Sequence, residues 1–596
     1  MGPSLHLLGV PRATLHDGTP VVLRGHKAWG ILAYLVAHRE AVSRPHLARM
    51  LFEDAADPLA TLRWNLSELR RALGADSLRG ETIALDRDAI GFIDLDVLMR
   101  GQSAEGVRLP GLGRELLEGL AFPTSPSYDV WLQAERRRMQ ATSQAVLHEA
   151  ALARLAAGAF AEAVDLAGRL LALDPLDENA QVLLVRCLAA AGDGFGAARQ
   201  AAACRELFRR ELGVLPGPAL ADALHTVTST VVTRPATGRA GTVAQIEAGE
   251  AAIGAGALEA GLHCLRRAIG DADATGDPGL RTRARVALGG ALVHAARGRD
   301  GEGAAALHEA LAIGRDASPQ FVAAACRELG YVEFLLGRYE RALAWVERAG
   351  SPARGNVAEQ ARLATLHGAI LSDMAHYRAA LVLLRQGQVL AAEAGDAKQG
   401  LYAESMVGRA LVLTGELDSA AAVLERCIVQ ARGMWIAFLP WPQSFRAEVD
   451  LLRGRIGEAA ERFEDAFALG CQLADPCWEG IAGRGLGLVA SARGEPQGAI
   501  VILLDTLARC ARLPDAYVWG NAYVLDALCE LAIAQRDARA AAWVDQLMTI
   551  SARAGMRELV ARSHRHRARL GQPGAAEAAK FLGGGIANPV LAAIMG

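Results

Sequence analysis

The sequence predicts a mainly α protein, with a small N-terminal α+β domain followed by an all-α solenoid of stacked helical pairs. Three observations predict it. Within the first hundred residues, short apolar runs broken by turn residues surround three amphipathic segments. Further on, Gly158 and Gly192 each stand five residues before a small residue (Ala163, Ala197), and they lie 34 residues apart. From about residue 245 onward, eight turn positions recur in steps of 38 to 42 residues. A fixed period of this length marks a repeat architecture, in which each unit buries its apolar face against its neighbours.

In chain order, Leu5 to Leu8 and Val21 to Leu23 read as strands separated by the turn formers Asp17 and Gly18. A helix follows over His26–His38. A second runs from Ser43 to Leu51, with Ser43 as its cap and Pro45 tolerated in its first turn. The stretch Asp57 to Gly74, DPLATLRWNLSELRRALG, is the most informative of the chain. Asp57 can cap free N–H groups, Pro58 is pre-set for the first helical position, and Gly74 stands where a C-terminal glycine ends a helix. Leu59, Leu62, Leu66, Leu69 and Leu73 form one apolar stripe. The opposite face carries Thr61, Trp64, Ser67, Glu68 and Arg71, flanked by Arg63 and Arg70. Such a front addresses base edges and phosphates, and it equally fits a solvated charged face. After it, Glu81–Leu85 and Ala89–Ile93 alternate around Asp86-Arg87-Asp88 as a two-stranded wing would.

Strands, three helices and a hairpin, in that order, resemble an OmpR-type winged helix. The residues LRGHKAWGILAYLVAHREAVSRPHLARMLF and ATLRWNLSELRRALG are similar to that family throughout. They are most similar to the version found in SARP-type bacterial transcriptional activators. The resemblance implies that the third helix enters a major groove and that the wing, with Arg87, touches an adjacent minor groove. It implies that Ser43, Arg44 and His46, at the N-terminus of the second helix, grip phosphate. Glu68 departs from the family, which usually carries a basic residue there, so a base preference does not transfer. Trp64 either meets a thymine methyl or base edge, or is covered by the following domain.

Charge limits this reading. Residues 1–100 hold 12 basic and 12 acidic side chains, and Leu23 to Arg79 hold nine against six. Long-range steering is therefore modest, and affinity must rest on a few local phosphate contacts or on two copies pairing along DNA. At 596 residues the chain is long enough for several domains, and 52% hydrophobic content with a net charge of −3 describes a folded protein. The 60 arginines against three lysines reflect a GC-rich genome. Nine scattered cysteines, no signal-like start and no apolar run near the roughly 20 residues of a membrane span lead us to expect a cytoplasmic protein.

Residues 101–125 read as a linker, rich in Gly and polar residues at their start. Helical patterning then fills 126–225. The pieces LALDPLDENAQVLLVRCLAAAGD and RELGVLPGPAL resemble the bacterial transcriptional activation domain that directly follows the winged helix in SARP-type activators. The resemblance implies a module that pairs the protein on direct DNA repeats and contacts RNA polymerase. A second linker spans about 226–244, and the array about 245–570. The array's turn markers are Gly256, Gly298, Gly337, Ala375, Gly415, Gly454, Gly494 and Gln535. Five positions after them stand Gly261, Gly303, Ala342, Ala380, Ala420, Ala459, Ala499 and Ala540. Seven positions before the first seven stand Gly249, Ala291, Gly330, Gly368, Gly408, Ala447 and Gly487. Paired helices approach closely only where side chains are small. The region resembles a tetratricopeptide-like solenoid with lengthened repeats, and residues 571–596 are expected to fray as a flexible tail.

Carried onto these repeats, the tetratricopeptide groove positions are Arg327, Tyr331, Arg362, Tyr402, Arg409, Trp441, Glu448 and Arg484; each also fits packing between repeats. The run MWIAFLPWPQSF (Met434–Phe445) sets four aromatics close together, as a binding patch or as filling for a wide gap. No cofactor or metal is expected. Lys27, Lys398 and Lys580 follow no phosphate-binding glycine loop, and neither Cys471 with Cys477 nor His564 with His566 has a second ligand pair. The sequence thus predicts not an enzyme but a sequence-specific DNA-binding transcriptional regulator, an activator. Its array would sense or bind a partner, with a protein or peptide favoured because extended grooves suit chains. The alternative is a tetratricopeptide-type scaffold whose winged helix binds protein.

Overall fold

The computed structural model describes all residues except 1, 24, 39–40, 80–81, 101–102, 218, 226–237, 315–318, 514–516 and 596. The chain opens with strands β1 (Ser4–His6), β2 (Arg12–Thr14) and β3 (Pro20–Val21). Helices α1 (His26–Ala37), α2 (Arg44–Phe52) and α3 (Pro58–Leu73) follow. The Asp57 carboxylate accepts from the Ala60 amide at 2.9 Å, and Gly74 ends α3 at φ 111°. Leu62, Leu66, Leu69 and Leu73 are buried as the stripe requires, but Leu59, in the first turn of α3, is exposed.

The wing differs from the expectation. Its hairpin pairs β4 (Leu78–Arg79) with β5 (Ala84–Leu85), one strand earlier than the alternation suggested. The segment Ala89–Ile93 instead contributes β6 (Phe92–Ile93), which runs parallel to β1 in a sheet ordered β3-β2-β1-β6. The cause lies in the next residue. Asp94 is buried, and its carboxylate accepts the Leu7 and Leu8 amides at 2.8 and 2.9 Å, which fixes β6 beside β1.

Helices α4 (Asp94–Met99), α5 (Ser103–Gly106), α6 (Pro126–Ala156), α7 (Phe160–Leu173), α8 (Glu178–Ala190), α9 (Gly194–Leu212) and α10 (Ala219–His225) build the middle of the chain. Of the stretch 101–125, expected to be a linker, the described residues 103–125 are packed. Leu109, Leu112, Leu116, Leu117 and Phe122 are buried, Leu116 bridges to Leu8, and Arg136 of α6 donates to the carbonyls of Leu116, Leu117 and Leu120. The Tyr128 hydroxyl donates to the Gly30 carbonyl at 2.8 Å, so α6 shares one core with the N-terminal helices. A Gly-rich composition marked the turns here, while the five apolar side chains decide the packing. The expected linker 226–244 lies outside the described residues up to 237, and the next helix starts at Arg239.

The array consists of antiparallel pairs: α11 (Arg239–Gly254) with α12 (Leu258–Thr275), α13 (Pro278–His294) with α14 (Asp300–Ile313), α15 (Pro319–Leu335) with α16 (Tyr339–Gly350), and α17 (Val357–Asp373) with α18 (Tyr377–Glu393). Then come α19 (Ala397–Leu413) with α20 (Leu417–Met434), α21 (Pro440–Leu452) with α22 (Ile456–Gln472), α23 (Pro476–Ala492) with α24 (Pro496–Cys510), and α25 (Val518–Ala534) with α26 (Ala540–Ala554), closed by α27 (Arg557–Arg569). The small residues are a packing requirement: a Cβ on Gly408 would sit 2.6 Å from the Leu424 side chain, and one on Gly368 2.7 Å from Leu384. Two markers shift. In the second pair the close approach falls on Gly289, where a Cβ would meet Leu307 at 2.6 Å, rather than on Ala291, because the α13–α14 turn is longer. In the eighth, the left-handed turn residue is Arg536 (φ 54°), not Gln535.

The tail is not frayed. It forms α28 (Ala575–Gly583) and α29 (Pro589–Met595), with Ala575, Ala579, Ile586 and Leu591 buried, and the Asn588 amide donates to Glu558 at 2.8 Å. Among the described residues no helix is long and apolar enough to cross a membrane. Four histidines held in these packed regions set an acid limit on stability. Burial, chiefly, lowers His46 and His564 from 6.5 to about 4, and His148 and His308 to about 3. Each takes up a proton more readily unfolded than folded. Stability is therefore expected to fall as pH drops below about 6.5 and to go on falling to about pH 3–4. Urea midpoints measured across this range check it, and a flat profile down to about pH 4.5 contradicts it.

Candidate functional site

Two places collect functional side chains: the outer face of α3 and the interior of the array. On α3, Arg63, Trp64, Ser67 and Arg71 are exposed, while Asn65 turns inward and donates to the Thr61 carbonyl. Trp64 is 53% exposed, so the following domain does not cover it. Glu68 pairs with Arg71 one turn on, which fixes the carboxylate beside that guanidinium. The remaining α3 candidates are engaged elsewhere. The Thr61 hydroxyl donates to the Asp57 carbonyl at 2.9 Å, and Arg70 donates to the Leu78 carbonyl at 3.2 Å, tying the helix to the wing.

Of the candidates beyond α3, Arg44 stands in the first turn of α2. His46, beside it, hydrogen-bonds the Tyr34 hydroxyl at 2.9 Å and stacks on Phe581 of the C-terminal α28 at 3.9 Å. A ring so covered, with its pKa lowered mainly by burial and then by Arg49, is neutral at pH 7 and offers phosphate no charge. Arg87 does not sit at a wing tip. It pairs with Asp96 and donates to the Val36 carbonyl at 2.6 Å, so it fastens the β5–β6 turn to α1.

The first helices of the array's pairs face the interior, as the solenoid reading expects. Most of their polar residues bind partners about one repeat away. Arg327 donates to Glu359, Arg362 to Asp396, Arg409 to Asp373 and Arg484 to Glu448, at 2.6, 2.7, 2.6 and 3.1 Å. Arg484 also lies 3.5 Å above the Tyr523 ring, and Arg409 3.7 Å above that of Trp519. Burial alone would raise the Glu328 carboxyl; the charges of Arg327 and His294 overcome this and hold it well below the ordinary range. For Arg327, Arg362, Arg409, Glu448 and Arg484, then, the inter-repeat reading describes the geometry.

Other contacts cross the superhelix. The Tyr517 hydroxyl donates to Asp373 at 2.8 Å, Tyr377 donates to Glu558 at 2.6 Å, and Arg297 donates to Asp475 at 2.9 Å. These partners lie 144, 181 and 178 residues apart, so the interior is filled rather than open along its length. Between the crossings a pocket is left, with an enclosed volume of about 60 Å³. Tyr331, Tyr402 and Trp441, all marked from the sequence, line it, and so does Phe438 of the aromatic run. Phe445 of the same run is fully buried in the core instead. Sequence reasoning missed Arg297, Phe334, Met406, Asp475, Cys477, Trp478 and Tyr517 on the same walls. The Asp475-Pro476 helix start was a readable signal for α23, but nothing in it points across the superhelix.

Residues 96–227 match the family model described as bacterial transcriptional activator domain. The match begins ahead of the expected residue 126 and takes in the packed stretch 103–125. Comparison with curated proteins gives no significant match. Among solved structures, the chain is similar to a Rap protein complexed with competence and sporulation factor, at 12% identity and a TM-score of 0.44, covering 60% of this chain and 98% of that one. It is similar to NprR in complex with its cognate peptide NprX, at 12% identity and a TM-score of 0.35, covering 50% and 82%. It is also similar to Mycobacterium tuberculosis EmbR in complex with a low affinity phosphopeptide, at 19% identity and a TM-score of 0.30, covering 41% and 71%.

Proposed function

We propose that this chain is a sequence-specific DNA-binding transcriptional activator of the SARP type, acting in the cytoplasm. Its OmpR-type winged helix places α3 in a major groove, and the module at 96–227 pairs copies on direct repeats and contacts RNA polymerase. One observation carries this reading. A helix with a buried leucine back leaves Arg63, Trp64, Ser67 and Arg71 uncovered, and the small domain that carries it is followed by a match to the bacterial transcriptional activator domain. Guanidinium and hydroxyl groups on such a face suit guanine edges and phosphate, and an exposed indole suits a thymine methyl. The array is the control unit. Because cross-contacts fill its interior, a protein or peptide partner would engage its outer and edge surfaces.

Binding-site selection from random duplexes tests the reading. A site with repeated half-sites is expected, with affinity falling steeply as salt rises. Arg71→Ala and Arg63→Ala should each weaken specific binding by about 1–3 kcal/mol. Arg87→Ala, at a residue committed to Asp96, should act on folding rather than on affinity. If no duplex outcompetes random DNA at moderate salt, the reading fails. Salt-insensitive capture of a protein instead would support the scaffold alternative.

A further inference from the structure

We propose that the pocket inside the array binds an uncharged, flat, ring-containing small molecule that carries a hydrogen-bond acceptor such as a carbonyl oxygen. The binding itself is independent of the transcriptional reading. Only its use as a control signal rests on that reading.

The walls and one unmet hydrogen bond support this. The enclosed space is small, about 60 Å³, and continues to an open mouth. Its walls are ring faces and edges: Trp441 lies 5.7 Å from Trp478, Phe438 5.9 Å from Trp478, and Tyr402 5.8 Å from Phe438. At these spacings the wall rings touch one another edge to face, and together they present an apolar, aromatic lining that suits a ring-containing molecule. Trp441 is 4% exposed, yet its indole N–H has no hydrogen-bond partner. A buried donor left in this state is unfavourable, and an acceptor on a bound molecule would relieve it.

Charge narrows the class further. Arg297, on the wall, is held by Asp475 through Nε at 2.9 Å and Nη2 at 2.7 Å. Arg409, behind Trp441, is held by Asp373. Both cations are already neutralised, so the site gives a charged ligand nothing to pair with. Burial, helped by Asp475, pushes the Cys477 thiol well above its ordinary range, so it stays protonated and binding is non-covalent. The walls come from the α13–α14 turn, α15, α19, Phe438 and α21, α23 with Asp475 before it, and Leu513 and Tyr517 between α24 and α25. A bound molecule therefore touches repeats that meet only across the superhelix and would favour the closed arrangement over an open one.

The test uses the full chain and the neutral, carbonyl-bearing dye propionyl-dimethylaminonaphthalene, read by its blue-shifted emission and by energy transfer from tryptophan. Saturable binding of one dye per chain is expected. Trp441→Phe keeps the ring and removes the N–H, and should weaken the dye about tenfold. Dimethylaminonaphthalene, which lacks the carbonyl, should bind more weakly to the unchanged chain and equally to both forms. Trp543→Phe, in α26 away from the pocket, should leave the titration unchanged. Non-saturable partitioning, or equal dye affinity for Trp441→Phe and the unchanged chain, overturns the proposal. Should Trp441→Phe lose its helical signal, Leu513→Trp narrows the mouth instead: lost binding supports the site, and full binding overturns it. No DNA is present, so a failed binding-site selection leaves this outcome untouched, and the reverse also holds.

Discussion

Arg409→Met is expected to destabilise the array by about 3–5 kcal/mol, because it leaves a buried carboxylate without its cation. Arg409 and Asp373 both have fully buried side chains. Besides Arg409, Asp373 receives the hydroxyls of Tyr339 at 3.0 Å and Tyr517 at 2.8 Å, so it joins α15–α16, α19 and α25 at one point. Burial already raises its pKa, against the pull of Arg409; once the guanidinium is gone, the carboxyl must take a proton or remain charged in an apolar setting. Two facts moderate the expectation for the pair as a whole. Arg409 Nε and Nη1 have no hydrogen-bond partners, and desolvating two charges offsets much of their attraction. The double variant Arg409→Met with Asp373→Asn should therefore recover most of the loss. Urea midpoints of the two variants give the comparison. A single variant as stable as the parent, or a double variant no better than the single, would contradict the account.

How much of this was legible in the sequence depends on the span of each contact. The α3 stripe and its cap involve neighbours within a few turns, and the leucines, Asp57 and Gly74 state them directly. The helix pairs are also local: Gly368 against Leu384 and Gly408 against Leu424 lie within one repeat, so the small residues recur with its period. Arg327 to Glu359 and Arg362 to Asp396 extend this by one repeat and could have been sought at that offset. The misses are long-range. Ala89–Ile93 alternates as a wing strand would, and only Asp94 reaching the Leu7 and Leu8 amides assigns it to the N-terminal sheet. In 101–125 the turn residues obscured five core side chains. The pocket depends on crossings such as Arg297 to Asp475, which follow from the curvature of the whole superhelix and have no period of their own. The α3 face was visible as chemistry, yet its division into free and engaged groups was not. Arg70 and Arg71 are adjacent in sequence, yet the wing carbonyl of Leu78 holds the first, while the second pairs with Glu68 on the exposed face.

Arg341→Met should have an effect of similar size at a different place, the seam between α6 and the array. Arg341 is 2% exposed, pairs with Glu149 of α6, and lies 3.2 Å from Glu333 of α15. The nearby polar links Arg138 to Glu340 and Arg553 to Gln144, at 3.3 and 3.2 Å, are less buried. Removing the guanidinium leaves the buried Glu149 without its cation and Glu333 with Arg338 alone, at 3.5 Å, for an expected loss of about 3–5 kcal/mol. The pH dependence follows from their environment. Burial already raises the Glu333 pKa, and loss of the cation would raise it further above its unfolded value. A group raised in the folded state contributes stability below its unfolded pKa and loses it as pH rises through the folded one. The deficit of Arg341→Met relative to the parent should thus be largest near neutrality and shrink on acidification; His148, whose pKa Arg341 helps to lower, would be partly relieved in the variant, which acts in the same direction. Adding Glu149→Gln should restore part of the midpoint at neutral pH by leaving a single carboxylate. Protease cleavage at residues flanking α6 should appear in the single variant before the array itself unfolds. A deficit independent of pH would mean that Arg341 acts through packing of its stem and not through charge.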